Sequence, residues 1–216
     1  MKIKGIVFDF NGTLFFDTSL HNQAWDIFLE KYHLTLSDDE KNDKIHGKNN
    51  AEICTNIFSK KLSEKEIADL SLEKENIYQS LCLKQKMELA PGAKDFLEYL
   101  LSKKIPFTIA TASDLYNVEF YFKHLNLDKY FDLSRIVYNN GTIKSKPDPE
   151  IFLKAMDILK VTANQTLIFE DSASGIKAAE NSHAAKVIIV KSMNADYGKW
   201  NHEAISSFSE VDRSIF

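Results

Sequence analysis

The stretch whose reading decides the fold is IVFDFNGTL, Ile6–Leu14. Ile6, Val7 and Phe8 form a continuous apolar run, as a strand buried on both faces requires, and Gly12 then turns the chain away. The run delivers Asp9 to the carboxyl end of that strand. In open parallel α/β sheets this rim is where ligands and reacting groups collect, so Asp9 is a candidate nucleophile or metal ligand. Taken alone, Asp9 is explained equally well as a turn residue, because Asp followed by Asn-Gly is common turn chemistry. Only residues elsewhere in the chain separate the two readings.

Working outward, the segment MKIKGIVFDF has an apolar run that meets Asp9 too early for a signal peptide. No run is long enough to cross a bilayer, so no membrane partner is expected and the expected location is the cytoplasm. With 216 residues and a hydrophobic fraction of 44%, the chain can form one sizeable core carrying a smaller inserted domain. A formal net charge of -4 offers no general basic surface, so no nucleic-acid partner is expected. Cys54 and Cys82 both lie in helix-like sequence and read as reduced core thiols rather than a disulfide.

Beyond Phe16, the pair Asp17-Thr18 is placed to cap a helix, and Leu20, Ala24, Trp25, Phe28 and Leu29 recur at helical spacing over 18–32. His21 is among that helix's polar positions. Helix-like sequence continues through SDDEKNDKI, breaks at His46-Gly47-Lys48, resumes in NNAEICTNIF and restarts at Ser63-Glu64, running to about Lys84. No convincing strand appears there. Residues 17–87 therefore predict an all-α insertion between two parts of a core, residues 1–16 and 88–216. From Leu89-Ala90-Pro91-Gly92 onward the pattern alternates. Pro91 starts a helix, Ile105–Ala112 reads as a strand, Leu115–His124 as a helix, and Ile136–Tyr138 as a short strand before the polar loop NNGTIKSKPDP. The helix EIFLKAMDIL, the strand TLIF running into Glu170-Asp171, a short helix over Ser174–Asn181 and a strand over Lys186–Val190 complete the pattern. Together with the first strand, this predicts an α/β fold whose parallel sheet is covered on both faces, a three-layer α/β/α core.

Asp9, Thr111, Lys146 and the pair Glu170-Asp171 each follow an apolar strand or lie in the loop beyond one. Parallel strands joined by right-handed crossovers point their carboxyl ends to one rim, so these groups can converge although the sequence separates them. Asp9, Glu170 and Asp171 would repel one another unless a cation lay between them, and hard oxygen donors favour magnesium. The Lys146 ammonium and the Thr111 hydroxyl could hold the oxygens of a phosphoryl group. Each residue alone has a plain structural explanation: a solvated loop lysine, a β-former at a strand end, an acidic pair capping the helix near Ser174. The ordered set is what points to chemistry.

Four motifs in order, DFNGTL at Asp9–Leu14, IATAS at Ile109–Ser113, SKPDPEIF at Ser145–Phe152 and FEDSASGIKAA at Phe169–Ala179, resemble those of the haloacid dehalogenase superfamily. The resemblance covers essentially the whole chain and is closest to the β-phosphoglucomutase type, with a helical cap inserted after the first motif. It implies a Rossmann-like core, a covalent aspartyl phosphate on Asp9, and phosphoryl binding by Thr111, Ala112, Ser113 and Lys146. It also implies Mg2+ held directly by Asp9 and Asp171, by Glu170 directly or through water, and by the backbone carbonyl of Asn11. The partner would be a small phosphorylated metabolite, and such folds often work as monomers.

The pattern breaks at Asn11, where active phosphotransferases of this superfamily carry a second Asp as general acid and base. An amide neither gives nor takes a proton near neutral pH, so a contribution of roughly 10²- to 10⁴-fold should be missing. Three readings follow: a substrate with a good leaving group such as an acyl phosphate, or an acid taken from the cap or the substrate itself; slow hydrolysis of the aspartyl phosphate; or a catalytically weakened phosphate-ligand-binding protein. Asn11-Gly12 is also a deamidation-prone pair. In the cap, His21 and Trp25 match the family's DT..H..AW pattern, and Gly47 matches the glycine of the substrate-specificity loop. The arginine that grips a second phosphate there is replaced by Asn50; Lys48 is nearby but is no bidentate clamp. This ranks a sugar-phosphate mutase below a phosphatase. Dehalogenation is disfavoured by the intact Glu170-Asp171, and a phosphonatase-like hydrolase by the poor match around Lys48, its candidate Schiff-base lysine.

Overall fold

The computed structural model describes residues 2–37, 40–41, 44–45, 48–58, 61–193 and 196–216. It divides into two compact units, Met1–Phe16 with Glu88–Phe216, and Asp17–Met87.

The first unit is built on a five-stranded, all-parallel sheet: β1 (Gly5–Phe8), β2 (Phe107–Ile109), β3 (Thr166–Glu170), β4 (Lys186–Val190) and β5 (Glu203–Ile205), in spatial order β2-β1-β3-β4-β5. Successive side chains of a strand point to opposite faces, and both faces are covered. Val7 and Ile168 pack on one side with Ile151, Phe152 and Ala155 of α6 (Glu150–Leu159) and Ala178 and Ala179 of α7 (Ala173–Asn181). On the other side Phe8 stacks on Phe169 at 5.1 Å between ring centroids and meets Phe96 of α4 (Ala93–Ser102) edge-on at 6.2 Å. This double burial is why β1 reads as an unbroken apolar run. The chain steps from β1 to β2, then returns past β1 to β3, and that reversal opens a crevice at the carboxyl ends of β1 and β3. α5 (Leu115–Leu125) follows β2, its first turn capped by the Asp114 carboxylate, which accepts from Asn117 N.

Three local expectations are corrected. Over Ile136–Tyr138 there is one bridge rather than a strand: Val137 N donates to Ile109 O at 3.0 Å and Thr111 N donates to Val137 O at 2.9 Å. The 3₁₀ turn Leu133–Arg135 ends immediately before it, leaving no room for extended pairing on that side. The helix after Pro91 begins at Ala93, because Gly92 at φ +73 precedes it; a Cβ there would lie 2.6 Å from Ser209 N. Glu203–Ile205 adds an edge strand where no element was expected.

The second unit is helical, with α1 (Thr18–Lys31), α2 (Asn50–Ile57) and α3 (Glu64–Leu83), and no strand among the described residues. Trp25, Phe28, Leu29, Ile45, Ile53 and Ile57 form its apolar core, so Trp25 is an anchor of this unit. Ser63 and Glu66 make a reciprocal capping box at the start of α3. Asp17, expected to cap α1, occupies the N-cap position without a capping hydrogen bond; its carboxylate accepts from the Tyr78 hydroxyl instead. Cys54 and Cys82 are buried thiols, and burial pushes that of Cys82 up to about 12. No helix among the described residues is long and apolar enough to cross a membrane.

Candidate active site

β1 ends at Phe8 and is paired with Phe169 of β3, so Asp9 and Glu170 emerge beside each other at the crevice. Lys146, from the loop before α6, lies between them: its Nζ donates to Asp9 Oδ1 and to Glu170 Oε1, each at 2.6 Å, and sits 5.0 Å from the Phe152 ring centroid. All three residues are buried, as is Asp171. Ligand oxygens of Asp9, Glu170 and Asp171 lie within 4.8 Å of one another. Asp171 accepts from the Thr13 hydroxyl on Oδ1 and the Ser192 hydroxyl on Oδ2, both at 3.3 Å. Glu170 Oε2 accepts from Asp171 N at 2.7 Å, Ser172 N at 2.8 Å and Ser172 Oγ at 3.1 Å. The acidic pair does not cap α7; Ser172 does, accepting from Gly175 N at 3.1 Å.

Two glycines make room for these carboxylates. A Cβ on Gly12, whose φ is +80, would fall 2.1 Å from Asp171 Oδ2, and one on Gly175 would fall 1.6 Å from Glu170 Oε1. Close packing has an electrostatic consequence. Burial, reinforced by the neighbouring Glu170 charge and opposed by Lys146, pushes the Asp9 carboxyl up to about 7. Burial pulls the Lys146 ammonium down, but Asp9 and Glu170 outweigh it and hold its pKa above the ordinary lysine value. Three carboxylates against one ammonium leave an excess of negative charge, and the hard oxygen donor set fits a magnesium ion.

A second group of polar side chains gathers on Asn11. Its Oδ1 accepts from Ser113 Oγ at 2.8 Å and from Thr111 Oγ1 at 3.4 Å, and its Nδ2 donates to the Tyr121 hydroxyl at 2.8 Å. Thr111 Oγ1 in turn accepts from Ser113 N at 3.1 Å. Ala112 joins Thr111 to Ser113 and offers only its backbone. The Gly12 N–H donates to Phe15 O at 2.7 Å, so the nitrogen that would attack the Asn11 side chain in deamidation is already engaged.

The remaining expected residues belong to the helical unit. His21 stacks on Tyr78 at 3.8 Å, its Nδ1 is 2.9 Å from Lys74 Nζ, and its Nε2 is 3.4 Å from Asp17 Oδ2. Asn50 Nδ2 donates to Glu75 Oε1 at 2.7 Å, and Lys74 Nζ donates to the same oxygen at 3.0 Å. Lys48 precedes α2. Gly47 lies outside the described residues.

Sequence reasoning missed Thr13, Tyr121, Ser172 and Ser192. Ser192, two residues beyond β4, could have been found by the strand-end rule that found Thr111. Tyr121, in the middle of α5, carries no such signal.

The model of the haloacid dehalogenase-like hydrolases matches residues 3–183. This chain belongs to that family. It is 34% identical to a HAD hydrolase of family IA, variant 3, from Entamoeba histolytica, whose crystal structure it overlays with a TM-score of 0.86 over 100% of this chain and 97% of the other. It is 28% identical to the phosphorylated carbohydrates phosphatase of Thermotoga maritima, covering 89% of this chain and 88% of the relative. The β-phosphoglucomutase of Bacillus subtilis is 27% identical over 83% of this chain and 80% of its own. As a haloacid dehalogenase-like hydrolase, the chain has the parallel α/β core expected from its motifs.

Proposed function

We propose that this hydrolase is a magnesium-dependent phosphatase of small phosphorylated metabolites that works through an aspartyl phosphate on Asp9. The observation that carries the reading is Lys146 held at 2.6 Å from both Asp9 and Glu170, with Asp171 completing a buried carboxylate group. Likeness to a phosphatase of phosphorylated carbohydrates supports the substrate class. Asp9, Glu170, Asp171 and the backbone carbonyl of Asn11 would hold the magnesium ion, which when bound supplies positive charge against the repulsion between Asp9 and a phosphate dianion. Lys146, Thr111 and Ser113 bind the phosphoryl oxygens. An Asp9 carboxylate oxygen attacks phosphorus, and the bond from phosphorus to the leaving oxygen breaks with its electron pair. Asn11 cannot protonate that oxygen, so the chemistry favours substrates whose leaving group needs little help, such as an acyl phosphate.

The helical unit is proposed to set substrate choice through His21, Gly47, Lys48 and Asn50. Asn50, standing where mutases of the family carry an arginine, has its amide engaged by Glu75 and adds no positive charge for a second phosphate. This favours phosphatase over mutase. The test is turnover of acetyl phosphate and an aryl phosphate with and without magnesium. Activity is expected to need the metal and to be lost in Asp9→Asn; metal-dependent phosphate binding without turnover would instead identify a ligand-binding protein. Asn11→Asp is expected to raise turnover of poor-leaving-group esters by about 10²-fold or more.

A further inference from the structure

The polar chain Ser113–Thr111–Asn11–Tyr121 has a direction. Thr111, Ser113 and Tyr121 present hydroxyls, each able to donate or accept, and they take one arrangement around the Asn11 amide. The Ser113 N–H can only donate, and it donates to Thr111 Oγ1 at 3.1 Å. The Thr111 hydroxyl donates to Asn11 Oδ1 at 3.4 Å, and the same oxygen accepts from Ser113 Oγ at 2.8 Å. The amide nitrogen is left facing Tyr121, whose oxygen accepts at 2.8 Å. Tyr121 is held in place: its side chain is buried, its ring stacks on Phe10 at 4.5 Å, and Phe15 and Phe120 flank it at 6.2 and 6.0 Å.

We infer that Tyr121 is a positioning residue, whose phenol holds the Asn11 amide with its oxygen toward Thr111 and Ser113 so that Asn11 orients the water that hydrolyses the aspartyl phosphate. This rests on the covalent reading above and says which half of the reaction Asn11 serves. Where phosphoryl oxygens are bound by Thr111 and Ser113, an amide oxygen accepts a hydrogen bond from a water; an amide nitrogen turned that way would donate to the leaving oxygen instead. In hydrolysis the water oxygen bonds to phosphorus as the bond from phosphorus to the Asp9 oxygen breaks, its pair returning to the carboxylate. Both water protons stay with the released phosphate as the dihydrogen form, and Asn11 takes neither. Losing the phenol therefore slows the second half-reaction and spares the first.

The test loads the natural protein, Tyr121→Phe and Asp9→Asn with radiolabelled acetyl phosphate and magnesium, quenches in acid, and follows formation and decay of bound label. Tyr121→Phe keeps the stacked ring and removes only the phenol oxygen. Its label is expected to form within about twofold of the natural rate and to decay about tenfold more slowly, the scale of one lost orienting hydrogen bond. Equal decay rates overturn the inference, as do equally slowed formation and decay, which mark a structural role. Label that never forms on the natural protein, or that persists in Asp9→Asn, removes the covalent reading itself and is a separate result. Side-chain amide NMR gives an independent check. The Asn11 NH₂ resonance, identified by its loss in Asn11→Asp, is expected to move in Tyr121→Phe, and an unmoved resonance overturns the inference.

Discussion

Lys146 in the sheet unit and Lys74 in the helical unit are both almost withdrawn from solvent, at 6% and 2% exposure, and both pair with carboxylates. Their surroundings differ. Lys74 meets Glu75 and His21 Nδ1 and lies 5.1 Å from the Trp25 ring centroid, while Glu75 has a second donor in Asn50 and Asp17 has the Tyr78 phenol. Asp17 and Glu75 there set two buried carboxylates against one ammonium, with neutral donors beside it. Lys146 divides one ammonium between Asp9 and Glu170, and Asp171 makes three carboxylates to that one charge. Among the described residues, that is the group of three carboxylates whose oxygens come within 4.8 Å. A buried ion pair by itself is ordinary scaffolding; an uncompensated excess of charge is the feature that calls for a cation and for chemistry.

Replacing each lysine should separate the two cases. Lys146→Met is expected to lower phosphatase turnover by about 10²- to 10³-fold, since it removes the charge proposed to bind the phosphoryl group. It should also destabilise the metal-free protein, with magnesium restoring much of the loss by neutralising the remaining carboxylates. Lys74→Met is expected to cost about 3 kcal/mol of stability by removing the cation paired with buried Glu75, with no restoration by magnesium. Thermal unfolding of both variants with and without the ion decides this; equal rescue of both would erase the distinction. A smaller effect is expected from the glycines that shape the acidic group. Gly12→Ala and Gly175→Ala each drive a Cβ into a carboxylate, at 2.1 Å from Asp171 and 1.6 Å from Glu170. Each should weaken the proposed magnesium binding by about tenfold or more, the scale expected when the support of a metal ligand is disturbed, read by titration calorimetry on folded protein.

The same contrast explains what the sequence could show. Strand-end positions are legible because an apolar run, a turn residue and a polar side chain occur in series, and this placed Asp9, Thr111 and Glu170-Asp171 at one rim of a parallel sheet. Lys146 lies in a loop, and only the order of motifs singled it out. Glu203–Ile205 was not legible, because an edge strand with one buried residue has too little apolar pattern to stand out. Ile136–Tyr138 has strand composition yet pairs through Val137 alone, an outcome set by the turn before it. Asp17 shows the limit for capping. Its position was read correctly, but a phenol 61 residues away took the carboxylate, and no local rule contains that competitor. Tyr121 was hidden for the same reason, its relation to Asn11 spanning 110 residues.

The smallest predicted effect tests whether helical-unit stability is separable from the acidic site. Ser63 accepts from Glu66 N while Glu66 reaches back to the Ser63 N–H, and the helix they start, α3, carries Lys74, Glu75 and Tyr78. Ser63→Ala removes one half of this box and is expected to cost about 1 kcal/mol. Because the carboxylate excess belongs to the sheet unit, the loss in urea unfolding should be the same with and without magnesium, and magnesium affinity should stay at the natural value. A cap substitution that altered the affinity would mean that the charge balance of the helical unit reaches the proposed metal ligands, and that the two lysines cannot be treated as independent.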